Sequence, residues 1–437
     1  MSFLRQALLV AVTAVIVGII VPSYFKPSYP VPEIFGTVAP GFEEVREVFR
    51  KNYVDGWDNP EAGSAFSVCH KGEKVVDLWA GYADAEAKRL WRKDTMSIIF
   101  STTKGFTVAC VAMLADRGLI DFTKPVAHYW PEFAQKGKEK ITVQQLLEHE
   151  AGLSVIEEKL SFGLLKDRDA MDKILARSEP QWEPGTRHGY HAITIGPLVD
   201  ALVRRVDPKK RTVGQFVEEE IRKPFGIDVY IGAPLTEYHR VGRLVNLKER
   251  LTDVIYTCIH TPFFRKYLIE KLFGRLEHNT AITDNCDEVC DFDRMADPDK
   301  LNIELASANG VATARAVAKF YGILANGGMY ENKTLLSKKI IDEYINDRRG
   351  LTPDLVLFDL PMRWKYGMDL IPQPNEEGNL FGAPGYGGQM GYADPNNNLG
   401  IGFISRYMSP SAFKFEDQRI KSLYESVQRI VEKKKRT

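Results

Sequence analysis

The sequence predicts a protein of the α/β class, of α+β type: one largely antiparallel sheet covered by helices, with a mainly helical segment inserted. Three observations carry this. Segments with strand-like patterns stand at both ends of the body, and helical patterns lie between them. The chain has 437 residues, 44% hydrophobic and 27% charged, enough for one large domain with an insertion. Lys+Arg and Asp+Glu both number 58, so no net charge draws the chain to nucleic acid, and the expected partner is a small-molecule or peptide substrate.

The chain opens differently from its body. After MSFLRQ, the uncharged run ALLVAVTAVIVGIIV covers Ala7 to Val21. Counted with Pro22 to Phe25, it approaches the roughly 20 residues that span a bilayer. No small-x-small cleavage site follows, and Arg5 precedes it. Residues 1–25 therefore read as a membrane anchor with the body luminal or extracellular; a cleaved signal and a secreted body are the alternative. Residues 26–40, rich in Pro and Tyr, read as an extended linker. On a luminal body, Asn332-Lys333-Thr334 would be a glycosylation acceptor.

Residues 41–437 read as the body, with a sheet part over about 41–118 and 305–437 and a helical insertion over about 119–304. GFEEVREVFRKNYVDG has helical periodicity, and SAFSVCHKGEKVVDLWAGYAD is a hairpin turning at Lys71-Gly72-Glu73. TTKGFTVACVAMLADRG is apolar nearly all round and ends at Gly118, as a buried helix with a glycine cap does. GYGGQMGYADPNNNLGIGFISR supplies two strands about an Asp-Pro-Asn-Asn-Asn turn, and a charged amphipathic helix closes the chain. Of the five cysteines, Cys286 and Cys290 in CDEVC are expected as unpaired thiols, with a pair as the alternative if the chain bends there. They lack the second pair that zinc needs, and His149-Glu150 lacks the second histidine of a metalloprotease helix. No metal or cofactor is expected.

FSTTKGF sets Ser101 and Lys104 three residues apart. The same spacing recurs at Ser23/Lys26 and Ser411/Lys414, so context must choose. Only Ser101 stands where an apolar segment turns into a buried helix, with unpaired N–H groups at the helix start and Lys104 on the same face. Two more stretches matter: WEPGTRHGYHAITIGPLVDALVRRVD, and FGAPGYGGQMGYADP, whose glycines suggest the close approach of a ligand.

With ITVQQLLEHEAGL and ASANGVATARAVAKFYGILANGG, these motifs resemble, over about residues 41–430, the serine β-lactamase and penicillin-binding-protein superfamily. The likeness is to its class C-like branch, particularly animal β-lactamase domain-containing proteins and bacterial esterases of similar fold. The resemblance implies a β-lactamase/transpeptidase-like fold and no cofactor. It implies Ser101 as a nucleophile that forms an acyl-enzyme, with Lys104 and Tyr190 handling protons, Tyr190 as a phenolate base. The oxyanion would meet the backbone N–H groups of Ser101 and Tyr386. His191, Gly385, Gly387 and Gly388 are candidates for substrate binding; His188 and His191 otherwise read as exposed loop histidines.

Two departures stand out. Tyr190-His191-Ala192 ends in alanine where the family has Y-x-N, and Ala383-Pro384-Gly385 replaces its Lys-Thr-Gly or His-x-Gly. The missing cation argues against a β-lactamase and against a D-Ala-D-Ala peptidase. The expectation is a membrane-anchored serine hydrolase acting on an ester or amide; the alternative is a non-catalytic scaffold or binding protein.

Overall fold

In the computed structural model, the described residues are 30–244, 265–266, 269, 286, 288–291, 295–373, 378–409 and 414–436. The apolar run 7–21, Ser23/Lys26 and Ser411 lie outside them.

Strands from both ends of the chain form one antiparallel eight-stranded sheet. They are β1 (Ile34–Val38), β2 (Ser64–His70), β3 (Glu73–Ala80), β4 (Trp364–Lys365), β5 (Met368–Pro372), β6 (Asn379–Gly385), β7 (Gln389–Asp394) and β8 (Leu399–Ser405). Their order is β1-β3-β2-β8-β7-β6-β5-β4, so the β2–β8 pairing joins the two ends of the body. The β2–β3 hairpin turns through Lys71 and Gly72, both at positive φ (53° and 83°), which gives the tight turn its twist.

Helices cover both faces. On one lie α1 (Glu43–Val54) and, closing the chain, the last helix Gln418–Arg436; Phe49, Leu423 and Val427 pack there against Phe66, Leu78 and Phe403. The other face carries α2 (Thr103–Asp116) and α4 (Ala314–Ala325), with α3 (Ile195–Val206) packed on α2, around the larger core. The last helix is α5. Every residue of α2 from Thr103 to Leu114 is buried, as its uniformly apolar sequence requires. At its C-terminal end Gly118, at φ 70°, donates its N–H to Ala115.

Three expectations change. Ile34–Val38, inside the expected linker, is β1 instead. Ile34 and Val38 pack on the apolar cluster beneath, and Arg46 donates to the Ile34 and Gly36 carbonyls on the edge. Cys286 and Cys290 form a disulfide rather than two thiols. The Cys290 N–H bonds the Cys286 carbonyl, and that turn brings the two Cα atoms to 5.4 Å, within disulfide reach. The glycines of the last strands answer to packing. A Cβ on Gly391 would lie 2.2 Å from the Tyr321 ring, and one on Gly400 only 1.9 Å from Gly322 N, both on α4.

Candidate active site

Ser97–Ile98 pairs with Val311–Ala312 and leads into the turn Phe100–Thr102, from which α2 begins. Phe100 has φ 42°, a left-handed conformation that costs a non-glycine residue free energy, immediately before Ser101. Thr102 Oγ1 donates to the Ala383 carbonyl at 3.0 Å, tying this turn to β6. A Cβ on Gly385 would meet the Ile99 carbonyl at 2.5 Å, so only glycine lets the end of β6 lie so close to the turn. Tyr386 follows it, its ring edge-on to Phe100 at 5.8 Å.

Three of the residues singled out in the sequence converge. Lys104 Nζ lies 3.1 Å from Ser101 Oγ, and the Tyr190 hydroxyl donates to the same oxygen at 2.8 Å. Lys104 Nζ also donates to the carbonyls of Ala192 (2.7 Å) and Ser307 (2.9 Å). Its side chain is buried, and burial holds its ammonium well below the ordinary lysine range. Burial pushes the Tyr190 phenol up, more than the Ser101 hydrogen bond brings it down. That runs against a resting phenolate: burial favours the neutral form of both Lys104 and Tyr190.

A neutral amine giving its two hydrogens to two carbonyls keeps a lone pair for a third neighbour. At Lys104 that neighbour is the Ser101 hydroxyl.

The histidines differ from expectation. His188 and His191 are both buried. His191 Nε2 accepts the Leu153 N–H at 2.9 Å, so Nδ1 carries the hydrogen and gives it to the Gly189 carbonyl at 2.6 Å. With both ring nitrogens spent on backbone, His191 has none for a substrate. Burial lowers it to about 4. Gly387 packs against Met408, and Gly387 and Gly388 take φ 73° and 97° in the turn after Tyr386.

Sequence reasoning missed what surrounds Tyr190. Trp364 stacks on its ring (centroids 5.4 Å apart, 7° between planes), and His149 meets it edge-on at 5.0 Å. Asp354 accepts the Tyr190 N–H at 3.0 Å from 164 residues away. Nothing local in LTPDLVLFDLP signals that bond.

Residues 49–425 match the beta-lactamase family. The chain belongs to that family. It is 32% identical over 380 residues to the esterase/beta-lactamase LipL of Mycobacterium tuberculosis, which covers 86% of this chain and 84% of the relative. Among solved structures, a family VIII carboxylesterase shares 36% identity with a TM-score of 0.75, covering 91% of this chain and 100% of that one. A penicillin-binding-protein homologue from Caulobacter crescentus shares 30% identity with a TM-score of 0.74 over 90% and 100%. As a member of the beta-lactamase family with these relatives, the chain is a serine hydrolase.

Proposed function

We propose that this protein hydrolyses an ester of an uncharged acyl group through an acyl-enzyme on Ser101. The carrying observation is the pair of contacts on Ser101 Oγ, from a desolvated amine and from a protonated phenol. Lys104 takes the hydroxyl proton as Oγ bonds to the carbonyl carbon. The oxyanion meets the N–H groups of Ser101 and Tyr386. Tyr190 gives its hydrogen to the departing alkoxide and recovers one from Lys104, so the alcohol leaves neutral. Water then repeats the sequence against the acyl-enzyme and releases the acid. His191 has no part in it.

Substrate charge follows from position 383. A buried alanine there offers no cation to a substrate carboxylate. The names of LipL and of the family VIII carboxylesterase favour an ester over an amide.

Mass spectrometry after treatment with a fluorophosphonate tests the reading, alongside turnover of p-nitrophenyl esters. A single adduct on Ser101, with both signals lost in Ser101→Ala, is the expected result. A Ser101→Ala variant that keeps its turnover sinks the assignment, and the absence of any adduct supports a non-catalytic scaffold.

For location, we propose an oxidising compartment, with residues 1–25 as the anchor. A disulfide at Cys286–Cys290 and an exposed Asn332 in the tight turn between Met329–Tyr330 and Lys333–Thr334 support this. A glycosidase-sensitive mass shift lost in Asn332→Gln is expected; a reduced, unglycosylated protein extracted by carbonate counts against it.

A further inference from the structure

Asp354 ends the short strand Thr352–Asp354, far in sequence from the catalytic motifs, and its side chain is completely buried. A carboxylate removed from water must find donors. Oδ1 accepts three backbone N–H groups, from Tyr190 (3.0 Å), Val356 (2.9 Å) and Leu357 (2.9 Å). Oδ2 takes the His188 Nδ1 hydrogen at 2.9 Å and faces Trp364 Nε1 at 3.4 Å. Because the carboxylate only accepts, Nδ1 of His188 carries the hydrogen, and Nε2 lies 2.7 Å from the Thr352 hydroxyl.

These partners are the things that hold Tyr190. One is its own backbone N–H. Another is His188, two residues earlier, whose carbonyl also accepts the Leu355 N–H. A third is Trp364, the ring stacked on Tyr190. Leu357, Met362 and Trp364 form a small apolar cluster against which Tyr190 packs, on the same strap that Asp354 fastens. On the other side of Tyr190, Ala192 has only a methyl group, and its carbonyl is already taken by Lys104.

We propose that Asp354 is a positioning residue for Tyr190, fixing its hydroxyl over Ser101 through the backbone N–H of Tyr190, His188 and the stacked Trp364. The proposal rests on Ser101 and Tyr190 acting as described above. It touches neither substrate nor reacting atoms, so its loss should lower kcat and leave KM nearly alone.

The test is a double-mutant cycle on p-nitrophenyl ester turnover, with thermal melting as the measure of folding. Asp354→Ala is expected to lower kcat by about tenfold or more with KM within about threefold, and to change almost nothing further in a Tyr190→Phe background. Asp354→Asn keeps an acceptor for the three N–H groups, and His188 can reverse its tautomer to accept from the new amide. Of the contacts named above only that of Trp364 Nε1, at 3.4 Å, then loses its acceptor, so kcat should fall less than in Asp354→Ala, staying within about fivefold. If Asp354→Ala does not fold, Asp354→Glu replaces it: a carboxyl group stays, but the added methylene moves its oxygens off the Tyr190 N–H, and the same fall in kcat is expected.

Equal falls in both backgrounds would reduce Asp354 to a general structural role and overturn the proposal. So would an unchanged kcat in Asp354→Ala or Asp354→Glu. A fully active Tyr190→Phe would remove the role Asp354 serves, and the reading of Tyr190 would fall with it; an impaired Tyr190→Phe beside an unimpaired Asp354 variant sinks the positioning alone.

Discussion

Lys104 Nζ meets three oxygens, none of them a carboxylate, inside a helix whose surroundings exclude water. An ammonium there would give up its hydration for two carbonyls and a hydroxyl, which is why burial favours the neutral amine. The sign for activity follows. As the proposed base, Lys104 works when unprotonated, so kcat/KM should rise with pH through the lowered Lys104 value and then level off, well before the ordinary lysine range of about 10.4. His191, held to about 4, stays neutral across that range and does not shape the limb. Lys104→Arg keeps the charge and discards the base, and should cost about a hundredfold or more in kcat. Tyr190→Phe should lose a similar factor, and Lys104→Ala combined with Tyr190→Phe should be little worse than the poorer single variant, because both act on one oxygen. Pre-steady-state acylation on the variants measures this; fully multiplicative losses would mean independent roles.

At the scale of elements, the site depends on how near α4 and α2 come to the sheet. Gly400 and Gly402 face α4 so closely that a Cβ on Gly402 would lie 2.3 Å from the Ala314 carbonyl. Backbone cannot step aside as a side chain can, so Gly400→Ala should cost at least about 2 kcal/mol in urea unfolding. Gly72→Ala offers the contrast, since nothing lies within 4 Å of its Cβ and only its φ of 83° objects; about 1 kcal/mol is expected there. A smaller loss at Gly400 than at Gly72 would mean that the helix is free to retreat. These glycines also mark where the sequence was legible and where it was not. The β2–β3 hairpin, the buried α2 and the S-x-x-K turn announce themselves through local pattern. Glycines in a strand announce only closeness, and whether ligand or helix comes close depends on a partner some 80 residues away in the chain. Asp354 is harder still: its function lies in backbone N–H groups that belong to other residues. The buried histidines hide for the same reason: in a polar loop such as TRHGYH, His188 looks exposed until Thr352 and Asp354 pack on its ring, and His191 until it meets the Leu153 N–H.

For the whole molecule, the sheet closes only when the last residues return to the first, and Arg419 on α5 is where that closure is held. It is 1% exposed. Its guanidinium donates to both Asp417 oxygens (Nη2 at 2.6 Å) and, also from Nη2, to the Gly387 carbonyl at 3.0 Å; Nη1 lies 3.7 Å from Asp58. Its own carbonyl accepts from Asn52 on α1. One residue thus joins the C-terminal helix, the first helical layer (through its main-chain carbonyl) and the turn that follows Tyr386. Burial pushes Asp58 up on balance, and the guanidinium opposes it most strongly, ahead of the hydrogen bonds from Ser64 and the Asn59 N–H. With Arg419→Met the volume is kept, but Asp417 and Asp58 stay behind, buried and without their cation. Removing one partner of such a cluster costs about 3–5 kcal/mol, far more than the pair contributes when compared with a well-packed apolar replacement of both. The urea midpoint of Arg419→Met should fall accordingly. Adding Asp58→Asn and Asp417→Asn should recover part of the loss, since the charges left stranded are then gone. A second consequence reaches the site. Without the guanidinium the Gly387 carbonyl keeps only the Ser409 N–H at 3.3 Å, and the turn carrying the proposed oxyanion donor Tyr386 loosens, so kcat should drop about tenfold under conditions where the variant is still folded. A variant with an unchanged midpoint would show that Arg419 does not hold the two ends of the chain together. A lowered midpoint with kcat intact would confine its role to stability and leave the oxyanion turn to β6 and Thr102.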